Sequence, residues 1–246
     1  MVNNKAINLE EEFKRLIVQG IQNGLDQYRE YKIENKTITN LGSIGTKWDK
    51  INTECSYALP KNKFDVVACK RGVWELILIY DKETNNLFTL MKEQRFETLL
   101  KSINVNKVHY LEALTMCNIN DTEEYIEQTT FFNELTDNKK EKIEKTLEVM
   151  LKKIDGKIKK NILVRFNDRE FELSSITASI MTPYLTIITQ ENWAEYIQPK
   201  YDIVIKYTNE LDVEDEDISL TLKSDNSDKI EDIKVKINKE KRNNTI

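Results

Sequence analysis

The stretch Phe64-Asp-Val-Val-Ala-Cys-Lys70, Arg71-Gly72, Val73-Trp-Glu-Leu-Ile-Leu-Ile-Tyr80, Asp81 to Asn86, Leu87-Phe-Thr-Leu-Met91 holds three β-rich runs separated by short polar connections. A two-residue Arg-Gly link has hairpin length, and Asn85-Asn86 tolerates left-handed backbone, so the runs read as an antiparallel meander. Leu76 to Tyr80 is apolar throughout, which predicts a central strand covered on both faces.

A cover for one face lies upstream. Ile7, Phe13, Leu16, Ile17, Ile21, Leu25 and Tyr28 recur at helical spacing, and Glu10, Glu11 and Glu12 sit near the start, where the helix dipole favours acids. After a Gly-containing loop, Trp48, Ile51, Cys55 and Leu59 repeat until Pro60, predicting a shorter second helix.

Downstream, helical spacing returns at Phe96, Leu99, Leu100 and Ile103, and again at Tyr110, Leu111, Leu114 and Met116. From Asn138 a stripe of Ile143, Leu147, Met150, Leu151 and Ile154 is supported by Glu141 with Lys145 and Glu148 with Lys152, and Gly156 ends it. Strands are then expected at 158–166, 171–180, 184–188 and 201–207, with a helical turn around Trp193. Two β-rich blocks around a helical middle make the fold class α+β: an antiparallel meander packed with amphipathic helices, and a second antiparallel β-rich region.

Residues 1–120 form the N-terminal α+β region, and 121–208 a helix plus β-rich region in the same domain or a second lobe. The tail, 209–246, changes character: residues 209–232 carry ten acids and two lysines, and residues 233–246 five bases and one acid. It is expected to be partly disordered or an edge hairpin.

The composition removes most reaction centres. The chain has 246 residues, 39% hydrophobic and 32% charged, with net charge −5, which suits a globular protein. One histidine, His109, cannot build zinc clusters or facial triads, and Cys55, Cys69 and Cys117 form no C-x-x-C pair, in keeping with a reducing cytoplasm. Gly42 and Gly45 lack phosphate-loop spacing. No apolar run approaches a membrane span, and Met1 to Leu16 lacks a signal-peptide pattern. The Asp, then Glu-x-Lys pattern of metal-dependent nucleases is not met, and Asp212 to Asp217 fits no calcium loop.

Two features could bind a macromolecule. Lysines 139, 140, 142, 145, 152, 153, 157, 159 and 160 outnumber nearby acids, and Lys70, Arg71, Lys92 and Arg95 would extend that surface from the meander. Trp48, Trp74 and Trp193 are expected to anchor the core. An exposed Trp74 beside Arg71 would instead mark an interface. Lysine outnumbers arginine by 30 to 7, a usage associated with AT-rich coding.

Ala68 to Asp81, Leu87 to Phe96 and Trp48-Asp-Lys-Ile-Asn52 resemble an uncharacterised family from low-GC Gram-positive bacteria and their phages. The resemblance covers about the first half of the chain. It implies origin and shared fold and carries over no functional residue, because the family has no assigned activity.

The reading is a non-enzymatic, cytoplasmic binding or regulatory protein, a phage or mobile-element factor engaging a host macromolecule, with a host protein or a second copy as partner. Its binding candidates are Lys70, Arg71, Trp74, Arg95, Lys152 and Lys153, with no catalytic or metal residue, no cofactor and no membrane. The alternatives are a nucleic-acid-binding protein using the lysine helix and a nuclease working through carboxylates and metal.

Overall fold

The meander forms as its spacing predicts. The structure, a computed structural model, describes residues 7–36, 38–39, 41–71, 74–102, 108–121 and 137–199. Strands β1 (Phe64–Arg71), β2 (Trp74–Asp81) and β3 (Asn86–Lys92) are successively antiparallel, with Arg71 opposite Trp74 at the hairpin end. Asn85 adopts φ 60° in the β2–β3 turn, the left-handed backbone that asparagine tolerates.

Strands β4 (Lys160–Arg169), β5 (Glu172–Met181) and β6 (Ile187–Asn192) continue the same sheet, ordered β1-β2-β3-β4-β5-β6. The joint is the parallel β3–β4 pair, which runs from Asn86 beside Lys160 to Lys92 beside Phe166. A parallel neighbour requires a long crossover. Helices α3 (Glu93–Lys101), α4 (Tyr110–Thr115) and α5 (Asp137–Leu151), with a 3₁₀ turn at Met116–Asp121, supply it. The two β-rich blocks are thus halves of one α+β sheet. The strand expected at 201–207 and the tail at 209–246 lie outside the described residues.

Alternating side chains sort two cores onto opposite faces of this sheet. Ile77 and Ile79 of β2, Phe88 and Leu90 of β3, and Val164 and Phe166 of β4 pack with α1 (Glu11–Glu34) and α2 (Ser43–Ala58). Leu78 and Tyr80, Leu87 and Met91, and Leu163 pack with Phe96 and Leu99 of α3, Leu111 and Leu114 of α4, and Met150 of α5. Helix α2 begins before Trp48, taking in Ser43–Lys47, which spacing alone assigns to a loop. Helices α1 and α2 approach closely because Gly20 and Gly24 carry no side chain: a Cβ at Gly24 would stand 2.4 Å from Ile51 Cα.

At the lower end of β4 a side chain does the work of a strand. The last β4–β5 pair is Ile162 with Ile180. Beyond it Asn118 donates to the carbonyls of Asn161 at 3.1 Å and Met181 at 2.8 Å, and accepts from Asn161 N–H at 2.7 Å. These buried peptide groups are thereby satisfied, and the crossover is fixed to the sheet.

Candidate functional site

The β2–β3 ladder is confined to Leu78–Tyr80 against Leu87–Thr89, although β2 continues back to Trp74 and β3 on to Lys92. Strands β1 and β2 stay in register to Arg71 and Trp74. The upper part of this hairpin therefore leaves the sheet as a two-stranded arm. Burial follows that divergence: Ile77 to Asp81 are buried, Leu76 is half-buried, and Glu75 and Trp74 are exposed. The run Leu76 to Tyr80, expected to be covered on both faces, is buried from Ile77 onward, and the cover is lost only toward the arm, where β2 has no β3 beside it.

Trp74 is 43% exposed. The expectation that it anchors the core is overturned, whereas Trp193 is fully buried and Trp48 packs edge-on against Phe166 at 5.6 Å. Lys70 stands on the arm with a largely solvated side chain 3.5 Å from Glu75. Lys153, in the turn after α5, donates to the Ala68 carbonyl at 3.2 Å. Lys152 is its exposed neighbour. Lys70, Arg71, Trp74 and Lys153 thus belong to one corner of the molecule. Arg95 belongs elsewhere: it lies half-buried on α3, which packs on β3 and β4.

The lysine stripe is partly committed within the protein. Lys139 pairs with Glu112 at 2.8 Å, and Lys145 with Glu141 at 2.6 Å. Lys92, read as an extension of the basic surface, is 2.8 Å from Asp168. His109 precedes α4 and caps it. Its Nδ1 accepts from Leu111 N–H at 3.2 Å, while Glu112 accepts from His109 N–H at 2.8 Å.

A second polar centre, missed from sequence, lies at the carboxyl ends of β3 and β4. Asp168 follows a bulge after Asn167 and binds both Lys92 and Lys47 of α2. Burial alone would raise the Asp168 carboxyl, but the two ammonium groups hold it below the usual carboxylate range. Burial lowers Lys47 from its ordinary value, with the charge of Asp168 opposing. On the other face Arg165 binds Glu93 at 2.6 Å, Ser179 at 3.0 Å and Gln190 at 2.9 Å, and stacks over Phe96 at 4.7 Å. These charges are engaged with one another and tie α2 and α3 to the sheet. Sequence reads Asn167-Asp168 as a turn, so the lysines from α2 and β3 that converge there carry no local signature.

At the lower end of the sheet a cavity of about 430 Å³ is lined by Asn8, Glu10, Phe13, Asp81, Thr84 and Lys159. Asp81 is occupied by the turn itself, accepting from Glu83 N–H at 3.0 Å and Thr84 Oγ1 at 2.5 Å. Among the described residues no group of three or more His, Cys, Asp or Glu is placed to hold a metal ion, and no helix is long and apolar enough to cross a membrane.

These features define an α+β protein with helices on both faces of one sheet and a hairpin arm projecting from it. The chain belongs to a family of unknown function, DUF5986, whose model matches residues 6–244. Membership of an uncharacterised family agrees with the resemblance carried by the meander and extends over nearly the whole chain. No curated protein and no solved structure matches it.

Proposed function

We propose that this is a non-enzymatic binding protein whose β1–β2 arm engages an acidic surface on a protein partner. The observation that carries the reading is the exposed indole of Trp74 at the end of a hairpin that has left its neighbouring strand. Tryptophan contributes much contact area for few lost rotamers, and such residues dominate interface energetics. Lys70, Arg71, Lys152 and Lys153 supply positive charge that would meet carboxylates and speed encounter. The internal pairing of Lys139 and Lys145 and the acid Glu75 on the arm favour a protein partner over a phosphate backbone. The setting that goes with this reading is the reducing cytoplasm of a low-GC Gram-positive bacterium, with the protein a phage or mobile-element factor acting on a host macromolecule. Cys55 and Cys69, free and buried, suit such a compartment.

Affinity capture from such a lysate, with Trp74→Ala as the comparison, tests the reading. The substitution should change folding stability by less than about 0.5 kcal/mol, keep the circular dichroism spectrum, and remove the captured protein. Capture unaffected by Trp74→Ala, or retention of nucleic acid that weakens steeply with salt, would sink the proposal.

A further inference from the structure

Strand β1 forms one edge of the sheet, and its backbone polarity is fixed by two independent hydrogen bonds. Lys82 N–H donates to the Lys63 carbonyl at 2.9 Å, so the odd-numbered residues of β1 direct their peptide groups at β2. The Ala68 carbonyl accepts from Lys153, so the even-numbered residues face outward. The outward groups are therefore those of Val66, Ala68 and Lys70. Among the described residues, β1 pairs as a strand with β2 alone. Such an edge is a template for another strand unless something guards it, and the solvated ammonium of Lys153 is a light guard.

The side chains say which strand fits. Phe64-Asp-Val-Val-Ala-Cys-Lys-Arg71 carries its acid at one end, its bases at the other, and apolar residues between. Turned antiparallel against itself, the segment is charge-complementary at both ends. One register also satisfies the backbone, with Ala68 opposite Ala68 on the two-fold axis, Val66 opposite Lys70, and Asp65 opposite Arg71. In that register the outward peptide groups of Val66, Ala68 and Lys70 meet their counterparts, giving about six inter-chain hydrogen bonds. Val67 then faces Cys69 across the seam as an apolar pair. A register shifted by one residue would set outward peptide groups against inward ones. We propose that the β1 edge is an isologous docking surface for a second copy of this chain, forming a continuous sheet across a two-fold axis, with Lys153 competing for the central carbonyl. Lys70, Arg71 and Lys153 are shared with the surface proposed for the partner of the arm, whereas Trp74 lies on β2 and not on the pairing edge, so Trp74→Ala separates the two.

Sedimentation velocity of the full chain over roughly two decades of concentration, up to about 1 mM, tests it. Expected is a concentration-dependent rise from 29.0 kDa toward twice that mass. Lys153→Ala should tighten association by uncovering the Ala68 carbonyl. Ala68→Pro removes only an outward N–H and keeps the ladder to β2, so it should leave the circular dichroism unchanged and weaken association about tenfold or more. Asp65→Arg and Arg71→Asp should each weaken the dimer, and the two together should restore it, which a merely damaged strand would not do. Trp74→Ala should leave the dimer intact. The proposal is overturned if wild type and Lys153→Ala are both monomeric throughout, if folded Ala68→Pro associates like wild type, if the paired charge reversal fails to restore association, or if Trp74→Ala abolishes it.

Discussion

Asp168 holds two ammonium groups on one buried carboxylate at the point where α2, β3 and β4 meet. Burial opposes the charge, and the attraction of Lys47 and Lys92 outweighs it, so the folded pKa lies below the unfolded one. A group with a depressed folded pKa stabilises the protein above its unfolded value, about 3.9 for aspartate, and that contribution is lost as pH falls through the folded value. Lys47, lowered first by burial, acts at the other end of the scale. Its penalty is fully present below its folded value and fades as pH rises toward the unfolded one. Asp168→Asn leaves the two lysines facing a neutral amide, and it is expected to cost about 3 kcal/mol at pH 7. Urea denaturation should show that difference from wild type shrinking as both are taken down toward about pH 2. A constant difference across that range would mean that the loss is one of packing and not of charge.

Between α1 and α2 the contact is made by backbone. Gly20 and Gly24, one turn apart on α1, lie against Cys55 and Ile51, with a Cβ at Gly24 only 2.4 Å from Ile51 Cα and 2.7 Å from its nitrogen. An alanine gains about 1 kcal/mol in helix propensity at an open site. At this seam the helices must part, and the overpacking cost of about 1–3 kcal/mol should prevail. Gly24→Ala is therefore expected to lower the urea midpoint, whereas Gly42→Ala, with open space around its Cβ, should not. Helices α1 and α5 were legible because their apolar residues repeat at helical spacing, as in Ile17, Ile21 and Leu25, and the three meander strands because β-rich runs are bounded by short polar turns, with β2 and β3 buried almost continuously. The start of α2 was not, since Gly42, Ser43 and Gly45 read as loop residues while their neighbours determine the helix. The arm was illegible for a related reason: the apolar run Leu76 to Tyr80 records that β2 packs, but nothing in it records that β3 leaves β2 beyond Thr89, opposite Leu78. The Asp168 cluster likewise joins Lys47, Lys92 and a bulged aspartate that are distant in the chain.

Across the whole molecule, the parallel β3–β4 joint decides how the chain can be divided. Phe88 and Leu90 face one core and Leu87 and Met91 the other, and β4 completes both. Residues 1–120 expressed alone would keep α1, α2 and the meander but leave β3 as a bare edge with apolar side chains on each face. That fragment is expected to show no cooperative urea transition and to bind a hydrophobic dye, while the full chain shows a transition. A cooperative transition in the fragment would make the first half a self-sufficient lobe. The Asn118 amide adds a temporal order to this architecture. It bridges Asn161 on β4 and Met181 on β5, so its bonds can form only after both strands have docked, late on the route to the native state. Interactions absent from the transition state govern how fast a protein comes apart, not how fast it assembles. In stopped-flow experiments Asn118→Ala should leave the refolding rate within about twofold and speed unfolding by roughly tenfold or more. The side chain that stands in for a strand would thus act as a kinetic latch, setting the lifetime of the native fold.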